Sequence, residues 1–446
     1  MSAPLDGLLA SAILGLDTLF GGDVMSRSGT ARFIADSWFS DEPLPPAYTH
    51  ASAAALRQSG GVAAQQPDSK MIETYLAAVD VPGAIAGVRE EARRLPGLRR
   101  DYALGTVTCL EVMWDLAMEL LGRGPPVPYE RCVRASCGHP PARSAPEWKR
   151  ERVAELLSKA GYQSQDVAGL QAAVDAWRAA RSVPMASVRL LSDAVVAQYD
   201  RLCEASLCPF LPEPLRSVPR GNVEFLPIRT AWFSGSMNYI GRSRRPDGLP
   251  EYEATYEVNG SLAISVPEFV QLVAHEVVPG HVTTYAYLHN LYVRGLVGFE
   301  ATVQTMNTRG AALAEGIGNN AALIAHGVTE IEDLPSDDLQ IGLLLALLQD
   351  DAKNQTSYLT WREKMPQAEV ETILRQDYLV SGERAHKLSA VWGRHPVMGR
   401  MYLPSYRTGT ELVAELRRRY PPEKVLPALY GCRGMVDVTT VEAAVG

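Results

Sequence analysis

Pro279 and Gly280 stand inside a run of helix-forming residues, LVAHEVVPGHVTTYAYLHN at 272–290, and no regular helix can pass through them unchanged. Proline removes a backbone donor and restricts the residue before it, and glycine admits dihedrals that other residues avoid. The chain must therefore bend or break between His275 and His281. On an unbroken helix, at ~3.6 residues per turn, a spacing of six turns the second side chain about 120° from the first. A widened turn at VVPG would return His281 to the side of His275.

The surrounding pattern is helical. MIETYLAAVDVPGAIAGVREEARRL, DYALGTVTCLEVMWDLAMELLG and MASVRLLSDAVVAQYDRLCEASL repeat apolar residues at helical spacing. From 222 to 264 the β-branched and aromatic content rises, which predicts strands just ahead of the histidines. Ser265-Val266-Pro267-Glu268 then reads as a capping box that starts a helix near 266. The proline- and glycine-rich stretch 124–146 reads as a loop ending in a second capping box at Ser144. Residues 334–366 read as a core helix, whose Asp350, Asp351 and Asn354 either reach a cleft or form a solvated end.

Net charge is −8, and the basic runs at 93–100 and 417–419 sit beside helical patterns as solvated faces. Nucleic acid is not an expected partner. The longest strongly apolar stretch, IGLLLALL, is far short of the ~20 residues a membrane span needs. Asp6 and Asp17 interrupt the apolar amino-terminal stretch, and the first arginine is Arg27. The expectation is a cytoplasmic protein without membrane association. Its six cysteines are too sparse for a disulfide scaffold and read as buried thiols.

Glu276 follows His275 directly. Two neutral imidazoles, a carboxylate and a nearby base are what hydrolytic zinc chemistry requires. Glu315, in LAEGIGNNAALIAH, sits among small residues that let a second helix come close, and it is the candidate third ligand. Two histidines and one carboxylate also describe non-haem iron sites, so Fe2+ or Mn2+ are alternatives to Zn2+. A carboxylate base beside the first histidine favours hydrolysis. His289, His326 and His386 read as ordinary or supporting histidines.

The order HEVVPGH, AEG and YLPSYRTG resembles a large bacterial family of unknown function that carries H-E-x-x-P-G-H-H, E-G-W-A and P-G-Q-A-x-S-Y-K-x-G. The resemblance spans roughly 200 to 420. It implies a mainly α, elongated, multi-helix gluzincin-like metallopeptidase fold with a short β-sheet beside the cleft, similar to thermostable carboxypeptidases and oligopeptidases. His275, His281 and Glu315 would then be the metal ligands and Glu276 the general base. Tyr406 would donate to the developing oxyanion, and Arg407 takes the place of the family's lysine. Of His326, His386 and His395, each readable as an ordinary histidine, His395 is the best placed by sequence to reach the site. The chain departs from the pattern at Val282, at Ile317 within the EGW segment, and in the shortened YLP before SY.

These readings predict a helical region at 1–210 packed on a metal-binding catalytic region at 211–446, as one continuous unit. The expected activity is zinc-dependent hydrolysis of a peptide or amide bond, with an extended substrate added along the strand before the motif helix. The alternatives are the same metallo-scaffold turned to a small metabolite, by non-peptide hydrolysis, cyclisation, elimination or oxygen chemistry, and a non-catalytic helical binding protein. The expected partner is a peptide or small-molecule substrate, and the chain could pair as a homodimer.

Overall fold

The computed structural model describes residues 4–164, 166–228, 235–259 and 264–446. The parts of the expected β segment at 229–234 and 260–263 lie outside the described residues. The chain is mainly α-helical, with two small sheets among the described residues. Five helices build the site: α1 (Val266–Glu276), α2 (His281–Val293), α3 (Arg309–His326), α4 (Asp337–Ser357) and α5 (Leu403–Arg419). The strands are β1 (Ala35–Trp38), β2 (Val223–Ile228), β3 (Gly235–Tyr239), β4 (Ala254–Asn259) and β5 (Val303–Thr305).

The predicted β segment supplies β2, β3 and β4, in the order β2-β4-β3, with β2 parallel and β3 antiparallel to β4. β4 is thus hydrogen-bonded along both edges, which corrects the expectation that a substrate could add to the strand before the motif helix. The edge strand on the cleft side is β3. β1 and β5 form a separate antiparallel pair that the sequence did not suggest, because ADSW and VQT are too short to show a pattern.

Ser265 accepts from the Glu268 N–H and Glu268 reaches back to the Ser265 N–H, so α1 begins where the capping box places it. The Ser144 box does not form. The next helix starts at Glu147 without a side-chain cap, and the Ser144 hydroxyl donates to the Asp351 carbonyl at 3.1 Å instead. Within the stretch read as a loop, Tyr129–Cys137 is helical and ends on Gly138 in the left-handed region (φ 78°). Its buried Tyr129, Cys132, Val133 and Ser136 recur at helical spacing, a signal masked by the prolines on either side.

One apolar cluster joins Tyr256 of β4, Phe269 and Val273 of α1, Tyr287 of α2, Ile317 of α3 and Val413 of α5. Each large side chain buried there contributes about 1.5–3 kcal/mol. A second cluster of amino-terminal helices, including Leu9, Ile13, Leu110 and Met113, extends to Val303 of β5 and Met401. No single helix among the described residues is long and apolar enough to cross a membrane, though the bent pair Ser69–Ala78 and Val81–Ala92 together reach that length and composition.

α3 and α5 touch backbone to backbone. A Cβ on Gly409 would lie 1.7 Å from the Ala312 carbonyl oxygen, and one on Gly316 would lie 2.3 Å from that of Gly409. Glycine to alanine inside a helix ordinarily stabilises by about 0.8–1 kcal/mol. Here the sign should reverse: Gly409→Ala is expected to destabilise by about 1–3 kcal/mol or more through overpacking, read as a lower urea midpoint. A higher midpoint would refute this account of the contact.

Candidate metal centre

α1 ends at Glu276 and α2 begins at His281, so the four residues VVPG form a break between two helices and not a bulge within one. The Val278–Pro279 peptide is cis. Gly280 turns directly under the preceding helix end, where its N–H donates to the Ala274 carbonyl at 3.1 Å. A Cβ at this position would fall 1.7 Å from the His275 carbonyl oxygen, so no other residue fits. The outcome is the juxtaposition that the spacing required: the His275 and His281 rings lie 4.8 Å apart between centroids.

Glu315 on α3 completes the group. One ligand atom from each of His275, His281 and Glu315 lies within 4.8 Å of the others, and they are the one such group among the described residues. Glu315 Oε2 is 3.4 Å from His275 Nε2 and 3.9 Å from His281 Nε2, and it is buried with no hydrogen-bond partner. Ligands at about 2.0–2.1 Å around a tetrahedral zinc stand about 3.3 Å from one another. The donor set suits a zinc-sized ion, which would draw the three donors together from spacings of up to 4.8 Å, and an orphaned buried carboxylate oxygen calls for a cation.

The supporting contacts hold each donor in a ligating state. His275 Nδ1 faces Asn319 Oδ1 at 2.8 Å, while Asn319 Nδ2 donates to the Thr410 hydroxyl, which donates to the Tyr406 carbonyl. That chain sets the amide so that its oxygen accepts from Nδ1–H, leaving Nε2 as the nitrogen that faces Glu315 and would take an ion once its proton is displaced. Tyr402 donates to Glu315 Oε1 at 2.6 Å and so leaves Oε2 for the imidazoles. The His281 ring stacks on Tyr285. Gly318 makes room for His275, since a Cβ there would meet the ring at 2.9 Å.

Burial opposes a charge on His275, but the adjacent carboxylates of Glu315 and Glu276 outweigh it and lift its pKa to about 9. Burial, then the neighbouring His275, pushes His281 down to about 4. Burial pushes Glu276 up to about 7, a value suited to a proton acceptor near neutrality. Glu315, despite its burial, is held down at about 2 by His275 and His281.

The ligand group opens into a chamber of about 110 Å³ walled by Glu276, Tyr285, Tyr402 and Tyr406, by Arg32 and Asp36, and by Gln304 and Thr305. A larger cavity of about 450 Å³ shares His275, Glu276, Trp392 and Tyr406 with it. Tyr406, expected to face an oxyanion, lines both spaces. Its hydroxyl donates to that of Tyr402 at 3.2 Å, and the buried Lys353 ammonium sits 3.3 Å from its ring centre.

Two expected residues are elsewhere. Arg407 lies one position past Tyr406, about 100° around the helix, and is spent on Glu411 and the Arg143 carbonyl. His395 stacks on Phe33, and its Nδ1 accepts from the Val397 and Met398 N–H groups, so it caps the π-helical turn Met398–Tyr402. Neither lines the chamber. Asp350, Asp351 and Asn354 are buried and not a solvated end: Asp350 pairs with Lys353, Asp351 with Lys149, and Asn354 donates to Ser144.

Asn319, Tyr402, Arg32 and Asp36 were not singled out from the sequence. Asn319 is four residues after Glu315 and Tyr402 four before Tyr406, so both share a helix face with a candidate, which is a usable signal. Arg32 and Asp36 lie in the amino-terminal region and carried none.

No protein-family model matches the sequence, and no curated protein matches it. The resemblance to the H-E-x-x-P-G-H family accordingly rests on its motif residues alone. Among solved structures, the chain is similar to one from Colwellia psychrerythraea described as a "putative lipoprotein", with TM-score 0.50 and 14% identity over 81% of this chain. This chain spans 66% of the length of that one. A second, from Shewanella oneidensis and described as a "putative lipoprotein of unknown function", has TM-score 0.47 and 13% identity over 90% of this chain and 79% of its own. The Colwellia likeness shows a shared fold and nothing further.

Two outcomes follow for metal affinity, both measurable by zinc titration against a competing chelator. Asn319→Ala is expected to weaken binding about 10–100-fold with the fold intact, the usual effect of removing such support. Because His275 holds its proton up to about pH 9 in the metal-free protein, an ion must displace it. Affinity should therefore rise about tenfold per pH unit from 7 towards 9 and then level off. A flat profile over that range would refute a proton held on His275 in the metal-free protein.

Proposed function

We propose that the chain is a metal-dependent hydrolase of an amide or peptide bond, with zinc as the first candidate ion. The observation that carries this reading is the unpartnered Glu315 Oε2 between the Nε2 atoms of His275 and His281, with Glu276 beside them. When bound, a zinc ion supplies Lewis acidity, acidifying water and polarising a carbonyl oxygen. Glu276 takes the proton of the attacking water and returns it to the departing nitrogen. Tyr406 turns its hydroxyl from Tyr402 to donate a hydrogen bond to the oxygen that gains charge, and Tyr402 and Asn319 keep Glu315 and His275 in place.

The chamber's volume supports a compact substrate. At about 110 Å³ it is smaller than the ~150 Å³ cavity that holds benzene, so it admits a few heavy atoms and no large side chain. This favours, as a second reading, the same site acting on a small non-peptide metabolite, which with iron or manganese would extend to oxygen chemistry. A cytoplasmic location belongs to the proposal as well. It is supported by six unpaired thiols, five of them buried, which suit a reducing compartment.

The test is metal analysis by mass spectrometry on protein purified without added metal. About one zinc per chain is expected, lost in His281→Ala and in Glu315→Ala. Glu276→Gln should keep the zinc and lose about 10²–10⁴-fold in amide hydrolysis. Iron or manganese in place of zinc would shift the reading to the small-metabolite reaction. A protein that holds no metal even after zinc is added back would leave only the helical binding protein.

A further inference from the structure

The β1–β5 pair forms one wall of the small chamber, and acceptors prevail among its polar groups. Asp36 comes from β1, and Gln304 and Thr305 come from β5. Gln304 Nε2 spends one of its two N–H groups on the Ala301 carbonyl at 3.1 Å, and its Oε1 is an acceptor. The Thr305 hydroxyl donates to the Val303 carbonyl at 3.3 Å, so its oxygen can only accept.

Asp36 is paired with Arg32, but the two are not equally presented. The Arg32 side chain is 1% exposed and that of Asp36 is 24% exposed. Arg32 is held by the Asp36 and Met237 carbonyls, Asn238 Oδ1 and Ser236 Oγ, which fixes it as an anchor between the amino-terminal segment and β3. A molecule in the chamber therefore meets the carboxylate and not the guanidinium. Glu276 and the unpartnered Glu315 Oε2 lie on the same space, so with a divalent ion in place the walls sum to about neutral, and Arg32, the one lysine or arginine among the lining residues, has a side chain only 1% exposed.

A wall with three acceptors and a carboxylate among them is complementary to a group that only donates, and a primary ammonium has three donors and no acceptor. Resting on the hydrolase reading above, we infer that the substrate carries a free amino group close to the bond that is cut, and that Asp36, Gln304 and Thr305 bind it. The substrate class is then a small amino-bearing amide, with the amino end in the chamber and the remainder in the 450 Å³ cavity.

The test uses the full-length, zinc-loaded protein and isothermal titration with three small chelating probes: glycine hydroxamate, its N-acetyl derivative and acetohydroxamate. Glycine hydroxamate should bind at least about tenfold more tightly than the other two, a difference in the range of one charge-assisted hydrogen bond. In Asp36→Asn that preference should fall below about twofold while acetohydroxamate binds as before, which shows an intact ion site. Gln304→Glu, which adds a carboxylate to the same wall, should widen the preference. Equal binding of the free and acetylated amines, or a preference that survives in Asp36→Asn, would overturn the ammonium site while leaving the hydrolase reading standing. Loss of all three in His281→Ala is expected. No binding of any probe to the zinc-loaded parent would count against both readings together.

Discussion

The contact between the Gly280 backbone and the His275 carbonyl is the constraint from which the site follows. A helix that ran on through 276–281 would send the two imidazoles to different sides. Ending α1 at Glu276 and restarting at His281 keeps both helices buried and brings the rings together. Only a residue without a side chain lets the chain turn so close to the end of the helix it has just left. α2 is buried from His281 to Leu291, so the break is held from outside as well as from within. Tyr430 donates to the Pro279 carbonyl at 2.8 Å, Thr283 to that of Val277 and Thr284 to that of Gly280, so three of the turn's four carbonyls have partners.

Around that turn the site is built in two layers with different tasks. The inner layer is the ligand group, in which the environment sets each member differently: burial keeps His281 neutral, the carboxylates of Glu315 and Glu276 favour a charge on His275, the two histidines hold Glu315 ionised, and burial pushes Glu276 up to about 7. The outer layer is a set of hydrogen-bond chains, Tyr406 to Tyr402 to Glu315 and Thr410 to Asn319 to His275, both anchored on α5 or the turn before it. The Gly316–Gly409 approach of α3 and α5 is what brings these chains within reach. Packing of two helices and polarity of a site are here a single arrangement.

The local parts of this arrangement were legible in the sequence. HEVVPGH declared its own break, the Ser265 box fixed the start of α1, and Glu315 stood out as a carboxylate among small residues. The parts that stayed hidden are those that depend on distant segments. Nothing near Asp36 suggests a cavity wall, and β1 and β5 acquire meaning only when paired. His395 and Arg407 looked suitable by type and proximity, yet a backbone cap and a rotation of one residue around a helix removed them. The Ser144 box had the right letters but a carbonyl of α4 offered its hydroxyl a better partner.

The contacts of the two layers also differ in how much chain must be closed to form them. Asn319 is 44 residues from His275, and the ligands lie within that span. Arg32 reaches β3 across 205 residues, and Gly29 reaches Glu257 of β4 across 228. Loop-closure entropy grows with such separations, and contacts of high sequence separation slow folding. The ion-binding group is thus a nearly local structure, and the chamber that gives it a substrate is assembled from the far reaches of the chain. A chain whose amino-terminal segment is not yet docked would hold the donors for an ion while lacking the wall that selects what the ion acts on.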